Sequence, residues 1–575
     1  VQILLSGSGS LRRVRYGLAD IAVIVGALAL LALIAHIGSE SFVAFTPPRQ
    51  VPTVGLDPRL LPGYVARSTL RMFIALLASL IFTFIYGYAA ARNRYAERIL
   101  IPALDILQSV PVLGFLSITI LGFIALFRGS LLGLEAASIF AIFTSQAWNM
   151  AFSFYQSLRT LPQDLVEATA AYGLSPWERF VRLEIPAATI GLVWNAMMSF
   201  GGGWFFLAAS EAISVLNQNY TLPGIGSYVQ AAVTAHDMPA LGWAVLTMAI
   251  TIVLLDQLFW RPVVAWADKF RLEQSASAEG PQSWVYDLLR YSRVPQLVER
   301  ATQPVGDLFS RGLALMSATR PPALSPRATT WFDRGFNVVL VLAVAWLVIN
   351  EARSIFAHIG LGEVWHVALL GLATLARVFV LMIFATLVWT PIGVVIGLSP
   401  TLTRRVQPIA LFLASFPANF IFPFATLAFI QLHIPINFGA IVLMALGAQW
   451  YILFNTIAGA ASIPTELREM TDDVGLHGWN RWRRLIIPAI FSSWVTGGIT
   501  ASGGAWNASI VSEVVSWGST TLVATGLGAY ITDATRKGDW PRITLGVCVM
   551  SIYVVCINRL FWRRLYKLAE TRYHL

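Results

Sequence analysis

The sequence predicts an all-α, polytopic membrane protein of twelve transmembrane helices, arranged as two parallel six-helix repeats. Three observations carry that expectation. Of 575 residues, 57% are hydrophobic and only 12% charged, more apolar surface than the cores of a soluble chain bury. The apolar runs are mostly about 18–25 residues or longer, enough for a helix rising about 1.5 Å per residue to cross roughly 30 Å of hydrocarbon. They also lack the strict alternation of a lipid-facing β-barrel strand. Finally, the chain repeats itself at long range.

Apolar runs set against charge give spans at about 18–38, 66–91, 99–127, 133–157, 187–213 and 239–260. A second set of six follows at about 332–350, 366–398, 408–432, 437–460, 488–514 and 541–561. Between them, 262–330 is polar and rich in Pro and Ser, with an amphipathic stretch at 284–300; it reads as a cytoplasmic linker with short surface helices. The domains expected are therefore 1–261, a first six-helix unit, the linker 262–330, and 331–575, a second unit. Cys548 and Cys556 lie eight residues apart on one helix, too far to bridge, and are expected to be core thiols.

The net charge of +10 does not require nucleic acid, because Lys and Arg are retained in cytoplasmic loops. Placing 92–98, 159–184, 261–334, 404–405, 468–484 and 563–572 inside with Arg12, Arg13 and Arg15 puts about 29 of the 40 basic residues on one side. Both termini are then cytoplasmic and the number of spans is even.

An offset of 302 positions pairs Trp148 with Trp450, Pro162 with Pro464, Glu167 with Glu469, Gly173 with Gly475, Pro186 with Pro488, Trp204 with Trp506 and Glu211 with Glu513. Upstream the offset becomes 306, pairing Arg71 with Arg377, Ser109 with Ser415 and Pro111 with Pro417. Six spans separate equivalent points, so the copies share one orientation and a pseudo-twofold along the membrane normal can relate them. A pathway between the halves is the natural site.

The loop between the fourth and fifth spans is repeated with its punctuation intact. Pro162 suits the first turn of a short helix and Gly173 the left-handed position that ends one; Pro464 and Gly475 repeat the pattern. Each loop should hold about eleven residues of helix outside the lipid. Glu167, Ala168, Gly173, Leu183, Ile185 and Pro186 then resemble the EAA loop of permease subunits of bacterial ATP-binding-cassette importers. The second copy reads Glu469, Met470, Gly475, Leu485, Ile487 and Pro488, departing at Met470. The flanking "SVPVLGF", "GGGWFFLAASEAI" and "LPGIGSYVQAA" resemble the nitrate, sulfonate, taurine and bicarbonate class. The chain looks like two such permeases fused, with a type I importer-like fold.

That resemblance implies two coupling helices, with Glu167, Ala168, Gly173, Leu174 and Trp177 in one loop and Glu469, Met470, Gly475, Leu476 and Trp479 in the other. Each would sit in a cleft of one of two cytoplasmic ATPase subunits. It also implies a periplasmic or lipid-anchored solute-binding protein and a place in the bacterial inner membrane. ATP and Mg would belong to the partners, because Lys269, Lys537 and Lys567 neither follow Gly nor precede Ser or Thr, which excludes a P-loop here. The chain is expected to be no enzyme and to hold no cofactor or metal. Its scattered histidines show no ligand spacing; His358 and His366 have only Glu363 between them.

Candidate pathway residues are polar, or distort helices, inside apolar runs. Ser109 with Pro111 and Ser415 with Pro417 should break or kink the third spans, and a half-helix N-terminus attracts anions. Gln146, Asn149, Asn195 and Gln449 are costly to expose to lipid and so should face the interior. Trp204 and Trp506 follow small residues, and Asn507 opposite Phe205 makes the copies unequal. Glu211 and Glu513, closing the fifth spans, read as helix-end pairing partners or as contacts for a docking protein.

The function expected is a permease subunit of an ATP-driven importer, moving a small solute, an anion by subclass, inward from a binding protein. A gradient-driven transporter with parallel repeats would need ionisable groups near mid-membrane, where Asp105 is one of few. A membrane scaffold for cytoplasmic partners would need only the loops.

Overall fold

The computed structural model describes residues 11–40, 54–109, 112–127, 130–215, 218–270, 283–297, 300 and 326–572. Within them the chain is helical almost throughout. The exceptions include two short antiparallel hairpins, Ala212–Val215 with Gln218–Thr221 and Val514–Trp517 with Thr520–Val523. Eight helices are long and apolar enough to cross a membrane. The remaining expected spans are helical too. Leu11–Glu40 is a single helix that carries the apolar stretch Ala19–Ala29. The third segment of the second half is in two pieces, Pro400–Ser415 then Phe422–Gln431, with Phe416 and Pro417 extended between them; the first half has the helices Arg94–Ser109 and Val112–Leu126, and residues 110–111 lie outside the described residues. Leu132–Arg159 is long, but polar residues within it, among them Glu135, Thr144 and Gln146, all buried, lower its apolarity.

Lipid offers no hydrophobic drive to pair apolar helices, so close packing and buried polar contacts hold such a bundle. Gly87 shows the first device: a Cβ there would stand 2.8 Å from the Phe154 ring. Gly393, its repeat partner, would meet Thr456 at 2.9 Å. Each half is thus a tight stack of its second, fourth and fifth segments, Leu61–Arg92 with Leu132–Arg159 and Ile185–Glu211, then Leu361–Gly397 with Ile436–Ala461 and Ile487–Ser512. Outward faces are apolar, as with Ile74, Leu77, Ile81 and Ile85 at helical spacing along one segment. Cys556 lies on such a face and Cys548 is half-buried; the expectation of two core thiols is corrected, because their side of Trp540–Ile557 turns away from the core.

The halves exchange contacts reciprocally. Pro400–Ser415 packs against Ile185–Glu211 and Met238–Leu255, while Val112–Leu126 packs against Ile487–Ser512 and Trp540–Ile557. Each third segment therefore crosses to the other half's fifth and sixth. Four π-helical turns also repeat at the 302 offset: Phe180–Glu184 with Trp482–Ile486, and Asp256–Trp260 with Asn558–Trp562. Of the linker, Trp284–Tyr291 is helical; 271–282 and 301–325 lie outside the described residues.

Candidate functional site

The repeated loop folds as a nine-residue helix, Gln163–Ala171 in the first half and Thr465–Asp473 in the second. Pro162 and Pro464 stand one residue before the helix rather than in its first turn. Their fixed φ still presets the entry, and the Pro162 carbonyl accepts from Val166. Gly173 and Gly475 have φ of 66° and 69°. This reversal lets Gly173 N–H reach the Ala170 carbonyl and Leu174 N–H the Thr169 carbonyl, both at 3.0 Å. The second copy repeats both bonds, from Gly475 to Asp472 and from Leu476 to Thr471. These bonds use up carbonyls that a helix end leaves bare.

Glu167, Ala168, Glu469 and Met470 are exposed on these helices, and Leu174 and Leu476 half-buried behind them. The two tryptophans differ. Trp177 packs on Phe180 with ring centres 5.5 Å apart, whereas Trp479 is 71% exposed. In the first loop Ser175 and Glu178 form a reciprocal cap, whose hydrogen bonds hold the Glu178 carboxyl below the usual carboxylate range.

Different chemistry ties each loop to its half. Buried Glu184 pairs with Arg92, at the end of the second span, and with Arg179 at 2.8 Å. At the equivalent place stands Ile486, packed with Val394, Ile463, Leu485 and Ile490. There Arg468 supplies the polar tie, donating to the carbonyls of Ile463 and Leu398.

Between the halves lies a cavity of about 360 Å³. Asn149, Asn195, Tyr451, Asn455 and Asn507 line it with Pro417 and several Ser and Thr, and among the described residues that line it none is charged. Phe416 and Pro417 are extended, which ends one half-helix and starts a 3-10 turn at Ala418. On the opposite side Asn507 Oδ1 accepts the backbone N–H of Val112 at 3.0 Å, capping a half-helix of the other repeat. The pseudo-symmetric contact is inverted: Asn419 donates to the Phe205 carbonyl at 3.1 Å. A larger cavity of about 750 Å³ lies by the hairpins, lined by both halves, including Gln230, Asn419, Thr532 and Arg536.

Other candidates do not line the central cavity. Trp204 and Trp506 are corrected to core residues: they are 2% and 1% exposed, Trp204 packing on Phe200 and Trp506 stacking on Tyr553. Gln449 accepts from the indole of Trp389 at 2.9 Å. Gln146 is buried beside Gly203 with neither amide atom partnered. Ser415 lies against Gly201 and borders a separate cavity of about 310 Å³. Pro111 and the Ser109 side chain lie outside the described residues. Tyr451 and Asn455 were missed; their spacing of four on an apolar helix, one face of Ile436–Ala461, was the available signal.

Glu211 and Glu513 are fully buried, so contact with a docking protein is closed to both. Arg71 bonds Glu211 at 2.6 Å and Glu135 at 2.5 Å; Arg377 bonds Glu513 at 2.7 Å. Each carboxylate also accepts a backbone N–H, from Gly226 and Ala529 respectively. Where the first half has Glu135 the second has Asn437, whose side-chain oxygen takes an Arg377 N–H at 2.7 Å. These are helix-end pairs that lock the second, fourth and fifth segments.

The family described as "binding-protein-dependent transport system inner membrane component" matches residues 59–259 and 389–573. Similar relatives include the nitrate import permease protein of Leptolyngbya laminosa, 26% identical over 35% of this chain and 66% of that protein. The bicarbonate transport system permease protein of Synechococcus elongatus is 28% identical over 33% of this chain and 64% of its own length. For the glycine betaine transport system permease protein of Bacillus subtilis the figures are 27%, 33% and 64%. The chain thus covers slightly less than two thirds of each of these relatives. Matched in both halves, it belongs to the inner-membrane components of binding-protein-dependent transport systems, with the family's unit present twice.

Proposed function

We propose that this chain carries both permease units of an ATP-driven importer, 1–261 and 331–575 joined by 262–330. Two cytoplasmic ATPase subunits, which carry ATP and Mg, grip the helices Gln163–Ala171 and Thr465–Asp473. A periplasmic or lipid-anchored binding protein delivers a small solute at the opposite end. Both termini are cytoplasmic. The observation that carries this reading is the pair of exposed, capped helices, each fixed at both ends and tied to its half by a half-buried arginine or a buried carboxylate. A helix so held hands on a displacement as a rigid piece.

The solute's route runs through the neutral cavity between the halves. Amide and hydroxyl groups there replace water around a small polar solute without trapping it by a full charge. Arg536 at the outer cavity favours an anion, in keeping with the nitrate and bicarbonate named for two relatives. Buried ionisable groups among the described residues, Arg71, Glu135, Glu211, Arg377, Glu513 and Glu184, are all engaged in ion pairs, which disfavours a proton relay.

The test is reconstitution of the chain in liposomes with the ATPase and binding protein encoded beside it. Uptake that requires ATP, with hydrolysis stimulated by the loaded binding protein, is expected. Uptake driven by an ion gradient without ATP would overturn the reading.

A further inference from the structure

The linker helix Trp284–Tyr291 carries a surface that transport does not account for. Ser283 caps it, accepting the N–H of Tyr286. Immediately after it, Ser292 Oγ and the backbone N–H of Arg293 both donate to Asp20 Oδ1, at 2.8 and 2.6 Å. Asp20 is the last charged residue before the apolar stretch of the first segment, where Ile21, Val25 and Leu28 are each about 60% exposed. A side chain exposed at that level on a lipid-facing stretch marks the start of hydrocarbon. The linker helix is therefore held at the level where lipid gives way to water.

Its faces suit that level. Trp284, Leu288 and Tyr291 fall at positions i, i+4 and i+7, one side of the helix. Trp284 is 60% and Tyr291 55% exposed, and Leu297 just beyond is 60% exposed. Asp287, at i+3 from Trp284, is exposed at the edge of that stripe, and Arg290, about 100° or more round the helix from Trp284 and Tyr291, is exposed beside it. The helix packs against Arg261–Ala267, on which Trp266 is also exposed, with Lys269 4.7 Å above its ring. Indole and phenol rings with adjacent cations prefer the headgroup region, where the ring leaves water and the polar edge keeps it.

We propose that residues 283–297 are an interfacial anchor, lying on the leaflet at the coupling end with Trp284, Tyr291 and Leu297 in lipid, and latched to the first segment through Asp20. The occupant is the bilayer, because the aromatic patch is continuous with the lipid-facing side of that segment. Residues 283–297 are thereby fastened to the first half, and they stay on the leaflet when the halves move.

The test uses the full chain in phosphatidylcholine vesicles, with Cys548 and Cys556 changed to Ser and spin labels attached at W284C, R290C or Y291C. Oxygen should relax the labels at 284 and 291 more than an aqueous nickel chelate does, with the order reversed at 290. Because a substituted chain could fold poorly, unaltered protein is also irradiated in vesicles containing a diazirine-bearing phosphatidylcholine. Adducts on the peptide spanning 284–297 are expected. Asp20→Ala should speed amide exchange in 286–294 by at least about tenfold, since two hydrogen bonds to a charged group are lost. Aqueous labels at 284 and 291, or photolipid that misses this peptide while marking 21–34, would overturn the proposal; so would aromatic rings that become covered only when a cytoplasmic protein is added.

Discussion

At the residue scale, the repeat is most informative where its copies differ in charge. Arg71 serves two carboxylates, Glu135 and Glu211, while Arg377 serves Glu513 and the amide of Asn437. Losing one member of a buried pair leaves the other charged and unpaired, which costs about 3–5 kcal/mol. Glu513→Gln should therefore destabilise the second half by about that amount, read as a lower unfolding midpoint in detergent. Glu135→Gln should cost less, because Glu211 still holds Arg71; equal losses for the two variants would contradict this account. The sequence displayed every one of these residues, Arg71 and Arg377 in one register and Glu211 and Glu513 in the other. Nothing local links positions about 140 apart, so the pairing became visible only when the segments were packed.

Among elements, the surface helices were the most legible, because Pro and Gly act through backbone geometry that needs no partner. At Gly173 and Gly475 a Cβ would meet nothing within 4 Å, so the penalty for substitution is conformational, about 1–2 kcal/mol for a left-handed L-residue. Gly173→Val and Gly475→Val should leave the bundle folded and weaken the link between hydrolysis and uptake. Solute moved per ATP should fall, and an unchanged ratio would argue that the helix ends carry no motion. The π-helical turns were not legible, since a single extra residue leaves no mark on hydropathy. Their position is telling: Phe180–Glu184 and Trp482–Ile486 stand between each surface helix and its fifth span. Deleting Val181 would restore an α-helical register and turn the surface helix by about 100° relative to that span. ATPase binding should then be lost with the second loop still competent, measured by co-purification stoichiometry.

For the whole molecule, the expected count of spans and the facing of two halves follow from apolar length and the 302-position offset, both properties of the sequence itself. The interior lining did not follow as well. Tryptophans flanked by glycines looked like pathway residues, yet small neighbours let helices close around Trp204 and Trp506 instead. Asn507 proved to act between halves, capping the Val112 N–H. A cap of this kind contributes about 1 kcal/mol, so Asn507→Ala should weaken the contact between the halves by that amount, a roughly fivefold change in any equilibrium that breaks it. Basal hydrolysis without solute is the readout; a rate that stays constant would place the bond outside the moving interface.

The unlike pair Phe205 and Asn507 has a genetic corollary. In an assembly of identical subunits, whatever stands at a position on one side of the axis must stand on the other, and no mutation can be confined to one flank. Joining the copies in a single polypeptide removed that restriction and let each side specialise. Once specialised, they became mutually dependent: two first halves would meet with phenylalanine on both flanks and the Val112 amide without its acceptor. Splitting the gene would therefore yield fragments that function only as a mixed pair.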